Sequence, residues 1–473
     1  MRIKLCLSLS LILMLSVACN TTPPDTTEPL SVSNTTALNV NHRVIYELNL
    51  YNFTKEGTLA AAQVRLKELR TLGIDIVWLM PIQPRSKQGK IGSLGSPYAL
   101  QDYTKVNPDH GTLSDLINFV NEAHNLGIEV WLDWVPNHTG LDHVWVTEHP
   151  EYYQTKDGKI VHPNDYGDVY QLNYSNSAMQ QAMIDAVKYW VKEASVDGFR
   201  FDYISSPAIP ASFWKRAIPE IKNAAPDKRI WMLAEGDLID RKDLYDVGFD
   251  YDYAWNFHDS AAKQVGATDK AKTLRSICQT LVSNSRYDNM DRMVYLTNHD
   301  DGNDGKNYFS DFGVNVPLMT VLEFTLYGMP LLYNGQEIGY RPVQDYFNRS
   351  VINWNSINRQ LKNTIATLVA LRHLQPALGG GIKSERGVVT FLDTGQPSLL
   401  CYTKTKGDNT VLVALNFATE PVTFTLSSIE QGRYSKWLDS ETVHNDATLT
   451  HTTLSPATTF TLESKGYSVW VKE

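Results

Sequence analysis

The sequence predicts an α/β fold: about eight parallel strands, each followed by a helix, closing into a (β/α)8 TIM barrel, with a small domain inserted after the third strand and an antiparallel β-sandwich at the C-terminus. Three observations carry this. Short β-rich runs alternate with longer helical stretches from residue 44 onward. The 473 residues exceed the roughly 250 that a barrel needs, leaving room for attachments. After Pro376 the helical pattern stops, and strand-like runs separated by turn signals take over.

Strand one is read at Val44–Leu50. A helix follows over Leu59–Leu72, where Leu59, Ala62, Leu66, Leu69 and Leu72 recur at helical spacing, and strand two is the apolar run from Ile74 to Leu79. The helical stretch Leu113–Leu126 ends at Gly127, a residue that commonly closes a helix, and leads into strand three, Glu129–Trp134. Residues 136–172 carry Pro, Gly, Asn, His and Tyr without periodicity and read as an inserted domain. Asp197–Asp202, Arg229–Glu235, Gly248–Tyr253, Arg292–Thr297 and Pro330–Tyr333 supply the other strands. The C-terminal strands are expected at Val388–Leu392, Leu399–Tyr402, Val411–Phe417, Val422–Leu426 and Tyr467–Trp470. The barrel is therefore expected over 41–135 and 173–377, and the sandwich over 378–473.

The first residues obey different rules. Arg2 and Lys4 precede an apolar run, Leu5–Ala18, too short for a comfortable membrane span, and the pattern is that of an export signal over residues 1–19. It ends in Ser16-Val17-Ala18-Cys19, which resembles a bacterial lipoprotein cleavage box, although the usual Leu stands one place early at Leu15. Cys19 is the expected lipidation site, with plain signal cleavage as the alternative. Residues 20–40, rich in Thr, Pro and Ser, then read as a solvated tether from a lipid anchor in the cell envelope, so an exported, membrane-attached protein is expected. Cys6 would leave with the signal, and Cys278 and Cys401 make no disulfide framework or metal cluster.

A formal net charge of -9 and the lack of a long basic run argue against a nucleic-acid partner. A neutral substrate fits better. With 11 Trp and 24 Tyr there are rings enough to stack on sugar faces as well as to fill a core.

Reacting groups in such a barrel sit at the C-terminal strand ends. Strand three ends in Asp133-Trp134-Val135-Pro136-Asn137-His138, strand four in Arg200-Phe201-Asp202, strand five in Ala234-Glu235 and strand seven in Asn298-His299-Asp300. Glycoside hydrolysis needs two carboxyl groups across the bond, one to protonate the leaving oxygen and one to attack carbon or activate water. Asp202 and Glu235 can fill these roles. Asp300 can favour the positive transition state, Arg200 can keep Asp202 ionised, and His138 and His299 can donate to hydroxyls. Each residue alone has a structural explanation, such as a buried Asp–Arg tie between strands. Four strands ending this way together point to a site, because buried polar groups are costly.

These segments resemble the four signature regions of the α-amylase family, glycoside hydrolase family 13. The resemblance extends to Val44-Ile45-Tyr46-Glu47, to Gly95-Ser96-Pro97-Tyr98 with Asp102-Tyr103, and to Gly328-Met329-Pro330 with Gly335-Gln336-Glu337, covering residues 42–473. It implies Asp202 as nucleophile, Glu235 as acid/base and Asp300 as transition-state stabiliser, with Tyr98 stacking on the sugar and Arg200, His138 and His299 completing the site. It also implies a barrel, a B domain after strand three and a C-terminal β-domain. The substrate implied is a starch-like α-glucan, with no cofactor required.

Two departures bear on specificity. Tyr203-Ile204-Ser205-Ser206 stands where many members carry a Lys-His pair, and Gln171 stands where many carry Asp. Both positions also bear on calcium: Asn137 and Asp168 are candidate Ca2+ ligands, short of the six to eight oxygens the ion prefers. The alternatives within enzymes are an α-1,6-acting, cyclomaltodextrin- or maltodextrin-degrading, or transglycosylating relative. The alternative from another class is a non-catalytic glucan-binding protein, which would show a lost carboxylate. Adjacent strand ends further predict a carboxyl spacing of about 5 to 5.5 Å for Asp202 and Glu235, with Glu235 in the drier setting.

Overall fold

A computed structural model describes residues 40–236, 238, 241–265, 270–441 and 449–473. The expected signal, Cys19 and residues 20–39 of the tether lie outside the described residues. Among the described residues no helix is long and apolar enough to cross a membrane.

The barrel strands are β1 (Ile45–Leu48), β2 (Ile76–Leu79), β3 (Glu129–Trp134), β4 (Gly198–Phe201), β5 (Trp231–Ala234), β6 (Tyr251–Tyr253), β7 (Asp291–Val294) and β8 (Met329–Tyr333). Each pairs in parallel with its chain neighbours, and β8 closes on β1 through Ile45↔Leu331 and Tyr46↔Leu332. Successive side chains of a strand point to opposite faces. Ile45, Trp78, Trp131, Leu233, Tyr253 and Leu331 accordingly share a cluster inside the barrel, while Tyr46, Val77, Leu132, Phe199, Phe201 and Met232 pack outward under the helices. The two-residue period therefore decides which polar residues enter the lumen: Glu47 follows Ile45 by two, Asp133 follows Trp131, Asp202 follows Arg200 and Glu235 follows Leu233.

β3 keeps its expected bounds and β8 gains Met329, whereas the other strands run shorter than expected from apolarity. β1 stops at Leu48 because Asn49 caps a helical turn, its side chain accepting from the Tyr51 N–H, and Leu50 already belongs to that turn. The helix expected over Leu59–Leu72 breaks in two at Arg65, whose N–H bonds back to Ala62 and whose guanidinium lies 3.5 Å from the centre of the Trp354 ring. A tertiary contact outweighs an unbroken apolar stripe there.

The region after β3 is not structureless. His138–Gly140 pairs antiparallel with Val169–Gln171, and a small hairpin joins Thr155–Lys156 to Lys159–Ile160. Gly140 cannot be replaced without movement, since a Cβ there would stand 2.5 Å from the Ser86 Cβ.

The C-terminal domain is a six-stranded antiparallel sheet facing a two-stranded one, Val422–Thr425 with Thr459–Leu462. One face of the large sheet, including Leu400, Tyr402, Val413 and Val469, joins the core shared with the barrel. The opposite face, including Leu399, Cys401, Leu412 and Trp470, packs against Phe424 and Phe460, which stack at 5.4 Å. The sequence reading lacked Gly432–Asp439, Thr450–Leu454 and Thr459–Leu462. Thr450–Leu454 is Thr-rich and buries only Leu454, and Thr459–Leu462 is four residues long with two of them exposed Thr, so both carry little apolar signal.

Candidate active site

Register sets the first layer of the site. Asp133 on β3 stands directly beside Arg200 on β4, and both side chains are fully buried. Arg200 Nη1 donates to Asp133 Oδ1 at 2.9 Å and to Asp202 Oδ1 at 3.1 Å, while Nη2 lies 2.5 Å from Glu235 Oε1. Its Nε donates to the Tyr253 hydroxyl at 3.1 Å. Asp202 and Glu235 each follow the last residue of their strand, and their N–H groups still continue the ladder to Trp134 and Phe201. One guanidinium thus ties together the ends of β3, β4 and β5.

The second layer comes from β1 and the segment after β7. His299 Nδ1 lies 2.5 Å from Glu47 Oε1 and its Nε2 lies 2.6 Å from the Tyr98 hydroxyl. Tyr98 also donates to Asp133 Oδ2 at 3.1 Å, and its ring stacks on the His299 imidazole at 5.3 Å. Asp300, with 40% of its side chain exposed, faces the opening and stands 3.4 Å from His299 Nε2. Asn298 caps the short helix His299–Asn303, which fixes the direction of both residues.

Tyr98, His138, Asp202, Glu235 and Asp300 line one cavity of about 690 Å³ together with Tyr166, Asp168, Tyr203 and Trp255. The structure therefore brings together the residues expected to meet, with Arg200 and His299 buried behind this wall. His138 is driven down to about 4 by burial, so its ring is neutral, and its Nδ1 takes the Asn137 amide at 3.1 Å.

Among the described residues, the carboxyl groups of Glu47, Asp133, Asp202, Glu235 and Asp300 gather around the Arg200 guanidinium and the His299 imidazole. Burial is the main force raising Glu235 to about 7 and Asp202 to about 6; Arg200 opposes it in both, and neighbouring carboxylates reinforce it. Asp133 rises to about 6 for the same reason. Burial lowers His299, but Asp300 and Glu47 outweigh it and lift the ring to about 9. At neutral pH the imidazole is therefore a cation that can donate.

One expectation needs correction. Glu235 does not sit in a drier setting than Asp202: their side chains are 14% and 12% exposed, and Arg200 holds both. A wide guanidinium spanning two adjacent strand ends does not discriminate between the carboxylates beside it.

The oxygens of Asn137 already accept from the protein. The Gln171 amide donates to the Asn137 carbonyl at 2.8 Å and to Asn137 Oδ1 at 3.2 Å, so an N–H group covers the oxygens a cation would need.

Two lumen residues and one turn residue of the site carry no role that the sequence motifs announce. Asp133 and Glu47 could have been found by counting in twos from the lumen residues Trp131 and Ile45. Tyr203 could not. It takes a left-handed conformation, φ 47°, and its N–H donates to Glu235 Oε2 at 2.5 Å, a consequence of the turn after β4.

A closed parallel barrel whose strand ends place an Arg among three carboxylates, with a His beside a fourth, already narrows the field. The match to known families decides it: the family described as Alpha amylase, catalytic domain covers residues 29–171 and 163–367, well over half of the chain. The chain belongs to the α-amylase family. Residues 389–460 also match the family described as Maltogenic Amylase, C-terminal domain. An α-amylase, MalA, of Haloarcula japonica is 28% identical over 410 residues, 82% of this chain and 57% of its own length. This α-amylase family chain thus spans less than two thirds of that relative. Among solved structures, a noncanonic maltogenic α-amylase, AmyB, from Thermotoga neapolitana superposes with a TM-score of 0.77 at 25% identity, covering 92% of this chain and 99% of the other. An α-amylase from Lactobacillus plantarum gives 0.75 at 26% identity, with 92% and 99% covered.

Proposed function

We propose that the protein hydrolyses α-glucosidic bonds of starch-like glucans or maltooligosaccharides with retention of configuration. The observation that carries this reading is the pair Asp202 and Glu235, on adjacent strand ends, bridged by Arg200 at the wall of a sugar-sized cavity. Neighbouring strands stand about 4.8 Å apart, which suits the short carboxyl spacing of double displacement rather than the wider gap that a water needs.

Glu235, protonated below about 7, gives its proton to the glycosidic oxygen while Asp202 attacks the anomeric carbon. The covalent glucosyl-enzyme then meets water, from which Glu235, now ionised, removes a proton. Asp300 and Asp133 add negative charge around the positive ring of the transition state. His138, neutral, supplies hydrogen bonds to hydroxyls, cationic His299 holds Tyr98 and Asp300 against the reacting sugar, and Tyr98 offers its ring to the sugar face.

The match of the C-terminal domain to that of maltogenic amylases favours short maltodextrins or cyclodextrins as a second substrate reading. Time-resolved product analysis on starch, cyclodextrin, pullulan and isomaltose separates the cases. Maltooligosaccharides from starch or cyclodextrin support the reading. Turnover of pullulan or isomaltose alone points to α-1,6 action, and no turnover at all points to a binding protein.

Export and attachment through Cys19 belong to the same proposal, resting on the basic start, apolar run and small-residue box. Cys19→Ala is expected to release the protein from membranes. A wild-type protein wholly in the aqueous phase of a detergent extraction contradicts the anchor.

A further inference from the structure

In the wall of the same cavity that Asp202, Glu235 and Asp300 line stands a second cluster. His258 sits in the first turn of the helix Trp255–Val265, Asp301 in the helix His299–Asn303 and Asp311 in the helix Tyr308–Phe312. One ring nitrogen of His258 and one carboxylate oxygen of each Asp lie within 4.8 Å of one another. Three corners no farther apart than this have a centre at most about 2.8 Å from each, within a small adjustment of the 2.0 to 2.6 Å of metal–ligand bonds.

Acidic residues gather at surfaces for many reasons, so the histidine decides the matter. His258 is 7% exposed, and its Nε2 is buried with no hydrogen-bond partner. Its Nδ1 is engaged by Asp259 Oδ1 at 3.3 Å. That is the arrangement of a ligating imidazole, which gives its other N–H to a carboxylate so that the free nitrogen presents a lone pair. The ring is fixed from two sides: it stacks on Tyr295 at 4.7 Å with 16° between the planes, and meets the edge of Phe312 at 6.3 Å. Asp301 is held as well. Its Oδ2 accepts from Thr297 Oγ1 at 2.6 Å and caps the Asn298 N–H, which leaves Oδ1 for another partner.

We propose that His258, Asp301 and Asp311 form a site for a divalent transition-metal cation of the Zn2+ class. An imidazole with two carboxylates suits such an ion, whereas calcium prefers a shell made wholly of oxygen. The ion would clamp the helix after β6 to the segment that carries Asp300, since Asp301 is its neighbour, at the rim of the cavity. The inference does not depend on the proposed hydrolytic reaction.

The test uses the full chain, stripped with a chelator and then given Zn2+ alone. Equilibrium dialysis is expected to show one ion per chain, and anomalous diffraction at the zinc edge a single peak between His258 Nε2 and the two carboxylates. Asp311→Asn, chosen because Asp301 also caps a helix, is expected to weaken binding at least about tenfold. The melting temperature of the unaltered chain is expected to rise with Zn2+ concentration. No stoichiometric binding, a peak elsewhere, or equal affinity in a folded Asp311→Asn variant overturns the proposal. The first of these outcomes would identify the cluster as a protonated histidine neutralised by Asp259, Asp301 and Asp311.

Discussion

The two ends of the barrel lumen each bury an arginine, and they treat it differently. At the N-terminal end Arg43 meets one acid, Glu129, at 2.8 Å, donates to the Tyr251 hydroxyl at 2.9 Å and lies 3.9 Å from the centre of the Trp231 ring. Its charge is matched one to one, and the rings of Trp131, Trp231 and Tyr251 pack around it. At the C-terminal end Arg200 meets Asp133, Asp202 and Glu235 at once. The negative charge is in excess there, and the space above is open. The first end is built for stability. Burial raises the carboxyl group at both ends, Glu129 included, but the second end gathers Asp133, Asp202 and Glu235 around one cation beside an open cavity, which is what acid–base chemistry near neutral pH requires.

The largest effect that separates the ends is on turnover. Asp202→Asn is expected to lower the rate by about a thousandfold or more, because an amide does not form the glucosyl ester, while circular dichroism and elution volume stay those of the unaltered protein. Residual turnover near the original level would remove Asp202 from the reaction.

Next comes a paired substitution. Arg200→Met leaves Asp133 buried without its cation and is expected to cost about 3 to 5 kcal/mol of stability as well as activity. Arg43→Met removes a buried cation from a pair whose acid is 32% exposed, so a loss of stability smaller than that of Arg200→Met, with turnover intact, is expected. Denaturant midpoints and rates measured together check this. Equal losses of activity in both variants would erase the distinction between the ends.

Smaller effects lie in pH. Asp202 must be ionised and Glu235 protonated for the first step, so the rate is expected to fall below about 6 and above about 7, the two limbs belonging to the coupled pair. Stability carries the opposite mark of function. Both folded values are raised, so these groups contribute stability that is fully present below about 4, their range in an unfolded chain, and lost as pH rises through about 6 to 7. Melting temperatures of wild type and Asp202→Asn between pH 4 and 8 are expected to converge at low pH and part as pH rises, the variant being the more stable. Parallel curves would show that Asp202 is not electrostatically strained.

The same contrast explains what could be read from sequence. Apolar runs located all eight strands, since both faces of a barrel strand are buried. The polar strand ends Arg200–Asp202, Glu235 and His299–Asp300 stood out because nothing apolar continued past them. Asp133 and Glu47 were visible as letters but had no role until the alternation placed them in the lumen beside Arg200 and His299. The break at Arg65 and the left-handed Tyr203 depend on partners far along the chain or on a turn, and neither leaves a periodic trace. The nearly equal exposure of Asp202 and Glu235 depends on the loops around the strand ends, which strand order alone does not set.

Double displacement by Asp202 and Glu235 fixes the configuration of the newly released sugar. Proton NMR of a maltooligosaccharide digest, recorded before mutarotation, is expected to show the α-anomer of the new reducing end first, with β-anomer growing later at the spontaneous rate. If the β-anomer appears first, water attacks the anomeric carbon directly and Asp202 is not the nucleophile.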